Sequence, residues 1–422
     1  MKKYSLRLLA AIIVLALCLP SGAIDIKFLK KNRTIIDGIA YQVNQKKESA
    51  VVVKNPDGYN GDIVIPEKVE NDSLTFYVEG IASGAFSECS GMTSISIPRT
   101  VTSIGSGAFE GCSSLTSIQL PQAIQELAPN LFKECSSLRT IDMSPSVKKM
   151  GSGVFMGCKS LDMITLPTTL DAIPSGAFAE CSNLIFVGIP TGLKSIGTGA
   201  FKDCSSLEAI EIPTGIKTIG SSAFEGCSSL RTFVFPGSVS VVSNELFENC
   251  TSLTSVTLPN SIKKIEHDAF HGCTSLETIE IPNSVKDLGS SVFEGCSSLQ
   301  SVRLSNSIKE ITSDMFKDCH SLESIALPNS IKAIGSSAFE GCTSLSAITI
   351  PIGVKSIGGS AFDKCANLMD VTMMGITPPK ISNSTFSKTT EKEGILHVKS
   401  NAYNAYTANK QWSRFLTIEK KG

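Results

Sequence analysis

Histidine, the residue most often used for proton transfer and as a metal ligand, is scarce in this chain. Among 422 residues there are only four histidines and one tryptophan. His267 and His271 lie four residues apart, but across an expected turn and without a carboxylate motif, so they are expected at the surface with His320 and His397. No G-x-S-x-G, P-loop or dinucleotide fingerprint occurs. Because no nucleophile can be matched with a base, the sequence predicts a protein that is not an enzyme and holds no metal or cofactor.

The chain also lacks an excess of charge. Its 38 Lys and Arg residues oppose 39 Asp and Glu residues, which gives a formal net charge of -1. No basic tail or basic stretch interleaved with aromatic residues is present, and such features are the usual sign of a protein that binds nucleic acid. The hydrophobic content of 42% is typical of a folded chain rather than a disordered one. Nucleic acid is therefore not an expected partner.

Only one long apolar run occurs, over residues 8–19 near the N-terminus. Positive residues precede it and small residues follow, which predicts a secretory signal peptide over residues 1–23 with cleavage after Ala23. The run is too short to span a membrane. The alternative is lipid attachment at Cys18, although the preceding Leu17 is bulky for that purpose. We expect an exported protein that is secreted, periplasmic or held at the cell surface, with no transmembrane span after cleavage.

Beyond Cys18, the cysteines reveal a repeat with a period of 23 residues. A phenylalanine stands three residues before each of them, from Phe86 to Phe362. A fixed period of this length is typical of solenoids. The cysteines of the array are Cys89, Cys112, Cys135, Cys158, Cys181, Cys204, Cys227, Cys250, Cys273, Cys296, Cys319, Cys342 and Cys365.

One unit, beginning at Cys204, illustrates the expected local structure. Ile210 and Ile212 alternate with Ala209 and Glu211, as they would along a strand with one buried face. The proline that follows cannot donate to a ladder and ends the strand, and a glycine at the sixteenth residue after the cysteine turns the chain. The last segment is long enough for one or two helical or 3₁₀ turns. Stacking such units about 4.8 Å apart would bury their apolar residues as continuous ladders.

These elements resemble the BspA-like, or Treponema pallidum-type, leucine-rich repeats. That consensus has the same L-x-x-I-x-L-P start, I-G middle and A-F-x-x-C end, and the resemblance covers about residues 62–386. It implies a mostly β, right-handed superhelical solenoid with a parallel sheet on its concave face and short extended or 3₁₀ turns on its convex face. Proteins of this family are typically exported bacterial surface or secreted proteins whose repeats bind host proteins, other cells or glycans.

The two ends depart from the period and predict caps, since an open ladder would aggregate. A β cap with a hairpin is predicted over residues 24–61. The solenoid of about 13–14 repeats is predicted over residues 62–386. Within its first repeat, about nine residues are inserted before Phe86. The C-terminal cap is predicted over residues 387–422, as a strand, a helix opened by Ser400 and a last strand. The residues expected to seal the last repeat are Tyr403, Tyr406 and Trp412.

The cysteine column has three interpretations. In an oxidising destination, many cysteines suggest disulfides, but the side chains of stacked repeats all point inward and do not turn toward one another. Free cysteine is also one of the most often buried residue types. We predict unpaired core thiols, with a few bridges between adjacent repeats or a metal site as alternatives.

Two charged columns also follow the period. Lysine recurs at the thirteenth residue after the cysteine, and acidic residues recur just before the next cysteine. Together they form either a solvated edge of mixed charge or a ridge for an anionic partner such as an acidic glycan. The lysines are Lys148, Lys194, Lys217, Lys263, Lys286, Lys309, Lys332 and Lys355. The acidic residues are Glu110, Glu134, Glu180, Asp203, Glu225, Glu248, Glu294, Asp318, Glu340 and Asp363.

The residues expected to point outward from the concave strands are mostly Ser, Thr and Ala, with an apolar exception over four neighbouring repeats. Exposed apolar residues rimmed by charge are typical of interaction sites, and aromatic and Arg residues dominate binding hot spots. The hypothesis is a ligand-binding patch in this region. The alternative is neutral sequence variation at exposed positions where most residues are tolerated. The patch comprises Met163, Ile185, Phe186 and Val234, flanked by Arg139, Glu208 and Arg231.

Together these features predict an exported bacterial protein, expected to be monomeric, that acts as a binding or adhesion module. Its partner would be a protein or glycan of host or bacterial surfaces. The alternatives are a glycan-binding accessory protein of nutrient uptake and a purely structural spacer. The sequence alone does not separate these functions.

Overall fold

A computed structural model describes residues 33–421, so the predicted signal peptide and Cys18 lie outside the described residues. The chain folds into a mostly β solenoid in which each 23-residue repeat forms one coil and stacks on the next. No helix within residues 33–421 has the length and apolarity needed to cross a membrane.

Most repeats contribute short strands to two columns, and the Cys204 and Cys319 repeats contribute a strand to the second column alone. The first column lies just after the cysteines and comprises β7 Met92–Ser96, β9 Ser117–Gln119, β11 Thr140–Asp142, β13 Met163–Thr165, β15 Phe186–Gly188, β18 Thr232–Val234, β20 Ser255–Thr257, β22 Thr278–Glu280, β24 Ser301–Arg303, β27 Ala347–Ile350 and β29 Asp370–Met373. The second column comprises β8 Ser103–Ile104, β10 Glu126–Leu127, β12 Lys149–Met150, β14 Ala172–Ile173, β16 Ser195–Ile196, β17 Thr218–Ile219, β19 Val241–Val242, β21 Lys264–Ile265, β23 Asp287–Leu288, β25 Glu310–Ile311, β26 Ala333–Ile334 and β28 Ser356–Ile357.

Pairing within both columns is parallel and keeps the repeat in register. Ile141 faces Ile118 in the first column, and Ile219 faces Ile196 in the second, each at a separation of 23 residues. Both isoleucine rows point inward, because alternate residues of a strand face opposite sides. The period of the sequence therefore becomes the register of the sheet.

The segment around Ile210 and Ile212 differs from the strand predicted for it. Residues 208–212 belong to no strand, and both isoleucines are only half-buried. The Cys319 repeat has the same gap, since residues 323–327 belong to no strand. The first column is thus interrupted in two repeats, and the Cys204 repeat lies beside the proposed patch.

A stack of phenylalanine rings runs along the core. Fourteen rings, from Phe86 to Phe386, lie with neighbouring centroids 5.2–5.8 Å apart and ring planes within 17° of parallel. Tyr59 closes the stack at one end, 4.6 Å from Phe86, and Phe415 and Trp412 close the other. The stack buries the largest side chain of every repeat and binds each coil to both of its neighbours.

The cysteines form a second ladder beside the rings. All thirteen in residues 33–421 are buried and unpaired, as predicted for core thiols. From Cys112 onward, each thiol donates to the carbonyl oxygen of the phenylalanine 26 residues earlier, with sulfur–oxygen distances of 3.0–3.2 Å. Burial raises the pKa of the Cys204 thiol well above its usual value. These groups therefore stay protonated and unreactive in the folded chain.

The glycine predicted to turn the chain has a different role. Gly220 lacks a positive φ, but a Cβ placed on it would lie 2.5 Å from the backbone nitrogen of Thr198 in the preceding repeat. Glycine is needed there because two backbones approach closely. The left-handed conformations occur two and six residues later, at Ser222 and Gly226, and these positions make the turn.

The N-terminal end is a mixed sheet that interleaves with the first repeat. Its strands are β1 Arg33–Ile36, β2 Ile39–Asn44, β3 Ser49–Val52, β5 Lys68–Asn71 and β6 Leu74–Ile81, in the order β1-β2-β3-β6-β5. The predicted hairpin is the antiparallel pair β2–β3. The inserted residues form the β5–β6 hairpin, while β4 Gly61–Val64 pairs with β7 and begins the first column.

The C-terminal end extends the first column by two parallel strands, β30 Ile395–Lys399 and β31 Thr417–Lys421. Helix α1 Lys388–Glu393, which the sequence did not predict, is capped by Ser387. The predicted N-cap at Ser400 is wrong, because that residue lies inside a 3₁₀ helix, Ser400–Ala402, that continues into α2 Tyr403–Thr407 without a side-chain cap. A second 3₁₀ helix spans Trp412–Arg414.

Aromatic residues seal this last layer as expected. Trp412 and Tyr406 are fully buried, and Tyr403 is partly buried. The indole N–H of Trp412 donates to the Pro379 carbonyl at 2.9 Å, and the Tyr406 hydroxyl donates to the Gly375 carbonyl at 3.2 Å. The polar groups of Trp412 and Tyr406 thus each have a partner, as buried aromatic residues require.

Candidate functional site

The outward face of the first column carries a pair of large apolar side chains on adjacent strands. Met163 on β13 and Phe186 on β15 are Cα partners, and their side chains are 58% and 52% exposed. Cross-strand partners of this kind lie about 4.5–5.5 Å apart at Cβ. In most other repeats this position holds a serine or threonine, such as Thr140. The parallel register therefore joins two irregular residues, 23 apart in sequence, into one apolar surface.

Ile185 and Val234 are exposed on the same face. Ile185 precedes Phe186, is 51% exposed, and donates its backbone N–H to the Asp162 carbonyl at 2.9 Å. Val234 on β18 is 63% exposed and lies two repeats beyond Phe186. The Cys204 repeat, whose residues 208–212 form no strand, separates them, so the structure joins Met163, Ile185 and Phe186 closely and places Val234 apart.

Charged residues line the edge of this surface. Arg139, Asp162, Glu208 and Arg231 are all exposed at the fourth residue after their cysteines, in the same row as Ile185. The Arg231 N–H donates to the Glu208 carbonyl at 3.1 Å. The ion pairs found within residues 33–421 involve none of these four side chains. Their charges are therefore not neutralised by neighbouring side chains.

Sequence reasoning missed other exposed apolar residues. Val64 on β4 is 68% exposed, in the row that contains Val234, and Ile352 is 60% exposed. Met374 and Ile376 are exposed near Ile352 at the C-terminal end of the array. In the segment D-I-V-I-P, residues 62–66, Ile63 and Ile65 alternate with Val64, and this alternation would have identified Val64 as an outward-facing residue. The other three lie in irregular loops with no periodic signal.

The two predicted charged columns do not neutralise each other. The eight predicted lysines are all exposed, and they form no ion pair with the described carboxylates. Four of the ten acidic residues instead pair with lysines of their own edge, in the neighbouring repeat. These pairs are Lys133–Glu110 at 3.0 Å, Lys202–Glu225 and Lys317–Glu294 at 2.8 Å, and Lys364–Glu340 at 2.6 Å.

One group of carboxylates has a spacing that could hold a cation. Oxygens of Glu225, Glu245 and Glu248 lie within 4.8 Å of one another. However, Glu225 pairs with Lys202, Glu245 accepts a hydrogen bond from Ser222 at 2.7 Å, and Glu248 contacts His271 at 3.3 Å. That last contact gives His271 a carboxylate partner from the preceding repeat, although no carboxylate motif accompanies it in the sequence.

Comparison with known proteins identifies the repeat. A family profile described as "BspA type Leucine rich repeat region" matches residues 79–208, 171–296 and 263–393. A leucine-rich cell surface protein from Faecalibacterium prausnitzii is similar in structure, with a TM-score of 0.59 and 28% identity over 82% of this chain and 96% of that one.

A leucine-rich repeat protein from Bacteroides ovatus has the same fold, with a TM-score of 0.52 and 24% identity over 92% of this chain and all of that one. No curated protein matches the sequence. The profile matches span most of the array of 23-residue units. The chain therefore belongs to the BspA-type leucine-rich-repeat family.

Proposed function

We propose that this chain is an exported binding module of the cell surface and that it holds a protein ligand on the outward face of its first strand column. The observation that carries the proposal is the exposed Met163–Phe186 pair on β13 and β15. Apolar residues of this size are costly to leave in water, and burying them against a partner is favourable. The proposed site comprises Arg139, Met163, Ile185, Phe186, Glu208, Arg231 and Val234.

The composition of this patch favours a protein partner. Methionine, aromatic residues and arginine are enriched at protein interfaces, and truncating hot-spot residues typically costs 2 kcal/mol or more. The unpaired side chains of Arg139 and Arg231 offer charge at the rim, where they would guide association more than they would add affinity. On this proposal the protein is a scaffold for recognition rather than a catalyst.

The test compares two double variants of the mature chain, residues 24–422. A panel of host-matrix proteins and a glycan array first identify a ligand of the unmodified chain. Its affinity is then measured for Met163→Ala with Phe186→Ala, and for the control Val64→Ala with Ile352→Ala, which removes equally exposed apolar side chains elsewhere. The patch variant should bind at least about tenfold more weakly, and the control should bind like the unmodified chain.

Other outcomes assign other functions. A ligand found only on the glycan array, whose binding survives the patch variant, would favour a glycan-binding accessory protein of nutrient uptake. Absence of any ligand in both panels would favour a structural spacer. Either result would contradict the proposed protein-binding patch.

A further inference from the structure

A loop of nearly identical sequence recurs in four consecutive repeats and presents the same two polar side chains each time. Residues 260–263, 283–286, 306–309 and 329–332 read N-S-I-K or N-S-V-K. At the lysine position, earlier repeats are interrupted by Asp171 and Ser240. From the Cys250 repeat to the Cys342 repeat the lysines are continuous. This lysine ridge comprises Lys263, Lys286, Lys309, Lys332 and Lys355.

Backbone hydrogen bonds join three of the four steps of the ridge. The N–H of Lys286 donates to the Lys263 carbonyl at 3.1 Å, and that of Lys332 donates to the Lys309 carbonyl at 2.7 Å. The N–H of Lys355 donates to the Lys332 carbonyl at 2.9 Å. Since stacked backbones lie about 4.8 Å apart, the five lysines span roughly 19 Å along the solenoid axis.

The charge of the ridge is not neutralised locally. All five lysines are exposed, and none of them forms an ion pair with a carboxylate in residues 33–421. Asp287 and Glu310 directly follow their lysines in β23 and β25, where adjacent side chains point apart. Like charges on neighbouring strands repel and lower the stability of the fold. A bound polyanion would reduce this repulsion between the lysines.

An asparagine row runs parallel to the lysines, three residues earlier in each loop. Asn260, Asn283, Asn306 and Asn329 are exposed. Only Asn283 uses its side chain, whose Oδ1 accepts the Asn306 N–H at 2.9 Å. The amides of the other three make no hydrogen bond with the described part of the chain. Each amide offers two donors and an acceptor, which suits hydroxyl groups as partners.

We propose that the lysine ridge and its asparagine row bind a linear acidic polysaccharide that lies along the solenoid axis. Sulfate or carboxylate groups would contact the ammonium groups, and sugar hydroxyls would contact the asparagine amides. A small anion would need converging donors, whereas these five lysines lie in a line. The surface is separate from the Met163–Phe186 patch, so this inference does not rest on the protein-binding proposal.

Two observations disfavour nucleic acid as the occupant. Single-stranded nucleic acid binds on exposed aromatic platforms, and between residues 33 and 421 the strongly exposed aromatic side chains are Tyr77 and Phe186, both outside the repeats of the ridge. The whole chain has a net charge of -1, so no general positive field draws in polyanions. Binding would have to come from the ridge itself.

The experiment measures binding of the mature chain to heparin, which is sulfated, and to polygalacturonate, which is carboxylated, over a range of NaCl concentrations. The ridge variant carries Lys309→Gln, Lys332→Gln and Lys355→Gln. The control carries Lys46→Gln, Lys159→Gln and Lys410→Gln, which make the same change in net charge at scattered exposed positions. The unmodified chain should bind at least one polysaccharide, and the ridge variant should bind about tenfold more weakly at low salt, with a shallower salt dependence.

A third variant separates glycan recognition from simple charge attraction. Asn260→Ala, Asn306→Ala and Asn329→Ala should weaken polysaccharide binding while leaving its salt dependence unchanged. Three results would each overturn the proposal. These are no binding of the unmodified chain to either polysaccharide at low salt, an equal loss in the scattered-lysine control, and equal or tighter binding of single-stranded DNA or polyglutamate.

Discussion

The thiol of Cys296 donates a hydrogen bond to the carbonyl oxygen of Phe270 in the preceding repeat, at a sulfur–oxygen distance of 3.2 Å. The same oxygen accepts the backbone N–H of Cys273 at 3.1 Å. A carbonyl has two lone pairs, and a buried acceptor left unsatisfied costs free energy. Cysteine therefore serves this column better than alanine or valine, because it combines a small apolar body with a donor.

Alkaline pH should destabilise the fold through this ladder. Burial raises the pKa of Cys296 to about 12 from an ordinary value of 9.0. The folded state holds the proton more tightly than the unfolded state, so the contribution to stability is complete below pH 9 and is lost as pH rises toward 12. The urea midpoint should fall between pH 8 and 10.5, and Cys296→Ala should show a shallower fall. Identical pH dependence in the variant would contradict this linkage.

The phenylalanine stack should dominate stability. Phe224→Ala removes a fully buried ring that contacts Phe201 and Phe247, and should cost roughly 3–5 kcal/mol. The same substitution at the exposed Phe186 should change stability by less than about 0.5 kcal/mol. Thermal and urea unfolding of the two variants compares them directly, and similar losses would show that ring burial does not set the stability.

Substitution of Gly220 should destabilise the fold, because two coils approach closely there, whereas substitution of Gly237 should not. Gly220→Ala places a methyl group 2.5 Å from the Thr198 backbone nitrogen, and overpacking of this kind costs about 1–3 kcal/mol. Gly237 has no atom within 4 Å of its Cβ position. Gly237→Ala should therefore be neutral or slightly stabilising. Equal unfolding midpoints for the two variants would contradict the close-approach argument.

The lysine ridge should cost stability when no ligand is present. The variant with Lys309→Gln, Lys332→Gln and Lys355→Gln should be more stable than the unmodified chain by about 0.5–1 kcal/mol at low salt. In 1 M NaCl, where the screening length is about 3 Å, the difference should disappear. A destabilised variant, or a gain that persists in high salt, would show that the lysines do not repel one another.

Much of the fold follows from the sequence because the period is so regular. The spacing of Cys204 and Cys227 predicted the coil, and the burial of Phe224 and the free buried thiols agree with it. The close approach at Gly220 could not be predicted, since it depends on how far apart the stacked backbones lie. The pairing of Glu110 with Lys133 could not be predicted either. The sequence alone does not say which lysine of a neighbouring repeat a carboxylate reaches.

The candidate patch was only partly visible in the sequence. Alternation placed Met163 and Phe186 on the outward face, and the register then made them cross-strand partners. The interruption at residues 208–212, which separates Val234 from them, left no pattern in the sequence, because Ile210 and Ile212 alternate there as they would in a strand. The continuous part of the patch is therefore smaller than the sequence predicted.

Methionine oxidation provides the most direct test of the proposed binding surface. Met163 is 58% exposed and Met374 is 40% exposed, so dilute peroxide should convert both to sulfoxides in the free chain. With its protein ligand bound, the account predicts that Met163 becomes protected while Met374 is oxidised as before, as read by peptide mass spectrometry. Oxidation of Met163 at the same rate with and without saturating ligand would contradict it.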